Sequence, residues 1–398
     1  MSAVTVVKCV KQPYLPNEKT LAMMETFRQM VNDCVRIALQ NNASTMKKLS
    51  KLCYPLLANY DVVSYYKLCA ISHAAGILAN RKKSIKRGLQ PRQPYATRPL
   101  LISCYGFKIE NDVLKVPLGD RQYFDIPLNA YVKNILTDPS LQVRSFTLTT
   151  SNTVSICYSK EVAEIECTGV EGVDRNLRNL TVGNNKNVMQ YDLSKAVGIA
   201  ENTRSIVKSF KRNDVRIRKK ITSKYGRRRK SRIGQLLHHV SKAVVQEAKQ
   251  NKVAIAFEDI RHIRRLYQRG NGQGKNYRSK MNGWSLAEIK RLITYKAEWE
   301  GVRIFQLSIK ETRGTSQLCP RCRKKITQVD RRQLYCAECK KWMDRDLVAA
   351  MNLSIRGLAR FASSQGLAGE AMRGNVEKEP LILRVDASKL TFRRKPTS

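Results

Sequence analysis

The chain has 398 residues, with 74 Lys plus Arg against 32 Asp plus Glu, a net charge of +42 and 42% hydrophobic residues. That length gives two or three domains around at least one sizeable core, and the hydrophobic share excludes a disordered polycation. Set against duplex phosphates at ~1.7 Å of axis per charge, the excess would cover about 70 Å, so a long nucleic acid is the expected partner. No run of about 20 apolar residues is present to span a bilayer. Residues 1–14 also lack the basic and then apolar pattern of a secretory leader, so an intracellular protein is expected.

Residues 3–10 read as a strand, and residues 17–88 as helical by the spacing of Leu21, Met24, Phe27, Met30, Val31 and Cys34. Basic and proline-rich residues 81–99 break that pattern. Residues 100–119 and 141–158 then each read as a β-hairpin, the second with a Thr150-Ser151-Asn152 turn. Strands on both sides of a helical block predict one β-rich domain with a helical insertion. A second region opens near residue 168, with short strands at 170–174, 180–183 and 188–191. A long basic helical stretch at 193–251 follows, and then a strand at 253–260. Between residues 204 and 232 there are fourteen Lys or Arg and one acid, Asp214, on a predicted helix interrupted near Gly226. Such a run repels itself and needs phosphate or solvent, which makes Arg227, Arg228, Arg229 and Lys230 candidate nucleic-acid contacts.

The segment Gly270-Asn271-Gly272-Gln273-Gly274 lacks the Lys-Ser/Thr of a phosphate-binding loop and reads as a mobile lid. Ser285 and Glu288 form a predicted capping box, Ile289, Leu292, Ile293 and Trp299 mark one helical face, and Gly301 ends the helix before a strand at 302–307. One more helix covers residues 346–361. The order of three strands, helix, strand, helix, strand, helix is that of an RNase H-like α/β domain. Residues 363–398 show no clear periodicity and are expected to be mostly disordered, although 381–385 could pair briefly.

Asp174, Glu258 and Asp346 fall at the ends of these predicted elements. Carboxylates converging there in a basic protein can hold two Mg²⁺ or Mn²⁺ ions for phosphodiester hydrolysis. Strand alternation puts Glu258 on the face of Ala254 and Ala256 and Asp259 on the face of Val253, Ile255 and Phe257, without choosing between them. Asp344 suits the N-cap of the last helix, with Asp346 one turn in. Of the 11 cysteines, Cys9, Cys34, Cys53, Cys69, Cys104, Cys157 and Cys167 are scattered, and the odd total argues against a disulfide framework and for a reducing compartment. The other four form two C-x-x-C pairs, Cys319/Cys322 and Cys336/Cys339, with 13 residues between them, the spacing of a closed, structural four-thiolate Zn²⁺ ribbon. The histidines His73, His238, His239 and His262 form no metal-ligand pattern.

Gly172-Val173-Asp174, Phe257-Glu258-Asp259, Thr315-Ser316-Gln317 and the run from Asp344-Arg345-Asp346 to Met351-Asn352 together resemble the TnpB family of transposon-encoded RNA-guided nucleases, related to compact type V CRISPR effectors. The match is specific over residues 172–353 and architectural before them. The resemblance implies an α/β multidomain chain. A β-barrel wedge domain (1–15 and 91–166) would carry a helical recognition insertion (16–90). A RuvC-type nuclease domain (167–314, completed by a last helix at 343–362) would hold the zinc ribbon (315–342), with the tail at 363–398. It implies that Asp174, Glu258 and Asp346 bind the catalytic Mg²⁺ or Mn²⁺, choosing Glu258 over Asp259 and Asp346 over Asp344. It further implies that a guide RNA from the transposon end directs cleavage of double-stranded target DNA beside a short adjacent motif, in the cytoplasm of a prokaryotic host near its nucleoid. No membrane and no small-molecule substrate enter that reading. The alternatives are a guide-independent RNase H-like nuclease or transposase, and an RNA-guided repressor that binds without cutting.

Overall fold

The computed structural model describes residues 3–210, 215–260, 263–330, 332–364 and 380–390; Asp214, His262 and much of the 363–398 tail lie outside them. The chain divides into two compact units, residues 5–161 and residues 1–4 with 162–398. No helix among the described residues is long and apolar enough to cross a membrane.

The smaller unit is built from β1 (Ala3–Pro13), α1 (Glu18–Gln40), α2 (Met46–Cys53), α3 (Ser64–Lys86), β2 (Leu100–Ser103), β3 (Lys108–Glu110), β4 (Val113–Gly119), β5 (Gln122–Pro127), α4 (Ala130–Leu136), β6 (Gln142–Thr149) and β7 (Thr153–Ala163). Helix α1 starts on a reciprocal cap in which Asn17 Oδ1 accepts from the Thr20 amide and Thr20 Oγ1 from the Asn17 amide. Its buried stripe of Met24, Phe27, Met30, Val31 and Cys34 packs on α3. The strands form two open sheets, ordered β1-β7-β6-β2 and β3-β4-β5, and closure into a barrel is not part of that hydrogen-bonded order. Residues 100–119 are therefore not one hairpin. Strand β2 pairs with β6, and β3 turns into β4 through Asn111 and Asp112, both at positive φ. Cys9 and Cys157, read from the sequence as unpaired, sit on adjacent strands β1 and β7 and are joined as a disulfide. Their separation of 148 residues hid a neighbourhood that only sheet order creates.

The larger unit holds β8 (Gly169–Arg175), β9 (Asn179–Gly183), β10 (Val188–Asp192), α5 (Ser194–Ser209), α6 (Val215–Gln250), β11 (Val253–Phe257), α7 (Lys275–Asn282), α8 (Leu286–Glu300), β12 (Ile304–Gln306), β13 (Thr327–Gln328), β14 (Gln333–Cys336), β15 (Lys341–Asp344), α9 (Arg345–Ser364) and β16 (Ile382–Asp386). Its main sheet runs β12-β11-β8-β9-β10-β16, with β9 antiparallel to both β8 and β10. Alternation on β11 sorts the two faces. Val253, Ile255 and Phe257 enter the core shared with α6 and α8, whereas Ala254 and Ala256 meet α9. Burying Phe257 alone contributes on the order of 2 kcal/mol.

The basic stretch is two helices, α5 and α6, and α6 continues through Gly226 without a break. A glycine costs an exposed helix only about 1 kcal/mol, and the packed half of α6 from Leu236 to Ala248 outweighs that. Ser285 does not make the expected side-chain cap; Glu288 pairs with Arg291 instead. Part of the tail is structured, since β16 lies parallel to β10 as the sixth strand of the sheet.

Candidate active site

Two parallel strands of the larger unit, β8 and β11, end at the same end of its sheet, and α9 begins beside them. On β8, Val173 turns into the core, so Gly172 and Asp174 face α9. Gly172 is required there, because a Cβ would lie 2.1 Å from Ala350 O and 2.5 Å from the Ser354 amide nitrogen. In α9, Gly357 serves the same close approach, since its Cβ would fall 2.7 Å from Ala256 Cβ. With the helix pressed onto β8 and β11, its first turn is brought beside Asp174. Asp344 Oδ1 accepts from the Asp346 amide at 2.8 Å and the Leu347 amide at 3.4 Å, so Asp344 is spent as the cap and Asp346 is left to face the strands.

Each acid is held by polar side chains. Asn176 Nδ2 donates to Asp174 Oδ2 at 2.6 Å. Asn179 Nδ2 and Gln190 Nε2 donate to Asp346 Oδ2 at 3.0 and 3.3 Å. Arg175 is buried, with its guanidinium donating to Glu258 O at 2.9 Å and Leu286 O at 3.1 Å. Its Nε lies 3.8 Å from Glu258 Oε1, an ion pair by distance but too long for a hydrogen bond. Withdrawal from water, followed by the charges of Glu258 and Asp346, pushes the Asp174 carboxyl well above the ordinary carboxylate range. Burial also raises Glu258, with Arg175 pulling the other way. Negative charge gathered around Asp174 is what a divalent cation relieves, and the all-oxygen donor set suits Mg²⁺ or Mn²⁺.

Among the described residues, the group close enough for a single ion to join every member is Cys319, Cys322, Cys336 and Cys339, whose sulfurs all lie within 4.8 Å of one another. The Cys319–Cys339 and Cys322–Cys336 sulfurs are 3.8 and 3.5 Å apart. A tetrahedral Zn²⁺ with bonds of about 2.3 Å needs sulfurs roughly 3.8 Å apart, so the cluster fits one zinc. Asn352 on α9 ties this lobe down, donating to Thr315 O at 2.8 Å and Leu318 O at 2.7 Å. The lobe also reaches the acids: Arg332 sets a guanidinium nitrogen 3.4 Å from Asp346 Oδ2.

A family model described as Cas12f1-like, TNB domain matches residues 287–353, from α8 through the cysteine cluster into α9. A TnpB-like protein of Methanocaldococcus jannaschii is 28% identical over 262 residues, covering 62% of this chain and 91% of the relative. This chain is a relative of the TnpB-like proteins. A second TnpB-like protein of that organism is 24% identical over 378 residues, covering 87% of this chain and 84% of its own. Two solved structures align over most of the chain with low scores. One is a Cas12f1-sgRNA-target DNA complex, with TM-score 0.37, 16% identity, and coverage of 88% of this chain and 99% of that one. The other is a mini-RNA-guided endonuclease, CRISPR-Cas_phi3, with TM-score 0.49, 9% identity, and coverage of 89% and 92%.

Beside the acids of this TnpB relative runs a groove of about 1140 Å³, lined by Asn179, Gln190 and Arg332 as well as further basic and aromatic side chains. Sequence reasoning missed Asn179, Gln190 and Arg332. The two strand residues carried one signal, a single amide side chain in each short strand, whereas Arg332 was one basic residue among many. Of the candidate nucleic-acid contacts on α6, Arg227, Arg228 and Lys230 are exposed. Arg229 is drawn in to donate to Gly283 O at 3.2 Å, and so ties α6 to the segment before α8.

Proposed function

We propose that this protein is an RNA-guided, Mg²⁺-dependent DNA endonuclease of a transposable element, cutting target DNA next to a short adjacent motif. The observation that carries the reading is the position of Asp174 close to Glu258 and Asp346, beside a basic groove, in a relative of TnpB-like proteins. Asp174, Glu258 and Asp346 would hold two Mg²⁺ or Mn²⁺ ions, which supply an activated water and a counter-charge for the leaving oxygen. The chain's own residues prepare that site. Asn176, Asn179 and Gln190 fix the carboxylate orientations, and Arg175 fixes the backbone that carries Glu258. A single Zn²⁺ on the four cysteines would be structural, since four thiolates leave no open position.

The test uses protein purified with its RNA and a matching target. Mg²⁺ should support cutting and EDTA should stop it. Asp174→Ala, Glu258→Ala and Asp346→Ala should each lower cleavage by at least roughly a hundredfold while leaving DNA affinity nearly unchanged. Wild-type cleavage by any one of them removes that residue from the site. Tight, guided binding by wild-type protein without any cutting would favour the repressor.

A further inference from the structure

The outer wall of the groove comes from the end of the chain. Strand β16 pairs parallel with β10 in the register Gln190↔Arg384, Tyr191↔Val385 and Asp192↔Asp386. Paired residues of a ladder point to the same face of the sheet, with strands about 4.8 Å apart. Gln190 points at Asp346, so Arg384 stands on the acid-bearing face, one strand further out. The opposite face of β16 is anchored, because Val385 joins Ala387 and Leu390 in the main core. Ile382 packs beside Val188, Leu347 and Met351, under α9.

Arg384 lines the groove and is exposed, and its guanidinium makes no hydrogen bond or ion pair with any described residue. The two acids near it are engaged locally. Asp192 Oδ1 accepts from the Ser194 amide and Asp386 Oδ1 from the Ser388 amide, each at 2.8 Å. The same groove is bordered by Tyr267, Tyr277 and Trp284. Aromatic rings on which bases can stack, together with a free guanidinium, are the pairing that single-stranded nucleic acid uses.

We propose that Arg384 binds a backbone phosphate of single-stranded DNA as the strand enters the carboxylate site, and that β16 is the element that places it there. This rests on the nuclease reading above and names one contact of its substrate. Edge strands also carry charges merely to block pairing with other chains, and a residue with that role alone would touch no phosphate.

The experiment measures binding of a labelled single-stranded DNA to the full RNA-loaded protein in EDTA, over a salt series. Arg384→Ala should weaken binding by roughly three- to tenfold and reduce the log–log salt slope by about 0.7, with the thermal midpoint unchanged. Arg384→Lys should retain the slope, because the charge remains. With Mg²⁺ restored, the Ala variant should raise KM more than it lowers kcat. Unchanged affinity and slope in Arg384→Ala would overturn the proposal, as would a variant that differs from wild type only in forming aggregates. Because binding is read in EDTA, wild-type protein that fails to cut would sink the nuclease reading while the slope still decides Arg384.

Discussion

Glu171 shows how one buried side chain sets a pH dependence. It is 3% exposed, and its Oε2 has no hydrogen-bond partner among the described residues. Burial, with help from the charge of Glu247, pushes its carboxyl up to about 7. Glu247 in turn accepts from the Tyr191 hydroxyl at 3.0 Å. An acid with a raised pKa holds more protons folded than unfolded, so stability falls as pH climbs from the unfolded value near 4.5 to about 7. Glu171→Gln should therefore raise stability above neutral pH by up to roughly 3 kcal/mol, seen as a higher thermal midpoint, and flatten the pH profile. Parallel profiles for variant and wild type would refute this. No spacing in the sequence marks Glu171, because an isolated acid in a strand looks the same whether its partner is water or another carboxylate. Asp174 and Asp346 were easier to find, since one stands where a predicted strand ends and the other where a predicted helix begins.

At the level of elements, the contact between α9 and β8 carries the site. Gly172→Ala would drive a methyl into the backbone of α9, and relief requires the helix to lift together with Asp346. The variant should lose about 1–3 kcal/mol of stability and, if the carboxylates cut DNA, lose cleavage well beyond its loss of folded protein. Activity that merely tracks the folded fraction would show that the helix position is not critical. The cysteine lobe is continuous with the same helix through β15 and is pinned to it by Asn352. Stripping zinc, or replacing Cys319 with Ser, should therefore loosen the lobe and lower its unfolding temperature, with metal analysis falling from near one zinc per chain to near none. Zinc absent from fully folded protein would contradict that. The order of strands and helices in the larger unit was readable from hydrophobic period and breakers. Long-range pairings were not: β16 joins β10 in the register Val188↔Ile382, and β2 leaves its expected hairpin for β6. Local pattern also misjudged the start of α8, where Glu288 prefers Arg291 to a cap.

For the whole molecule, a net charge of +42 sets the class of partner but leaves open what selects the sequence. Any polycation binds DNA more weakly as salt rises, so salt dependence alone cannot distinguish a guided nuclease from an unguided one. Sequence choice can. If base pairing with a bound RNA carries the information while the protein holds backbone and shape, specificity is transferable by changing the RNA alone. The decisive measurement maps the cut site, by sequencing DNA ends, for protein loaded with the original RNA and with an RNA whose pairing segment has been replaced, on targets that keep the flanking motif. Guided cleavage moves the cut to the new complement and spares the old target, and Asp346→Ala should cut neither. Cutting at the original site under both RNAs, or equal cutting after the RNA is removed, would contradict it.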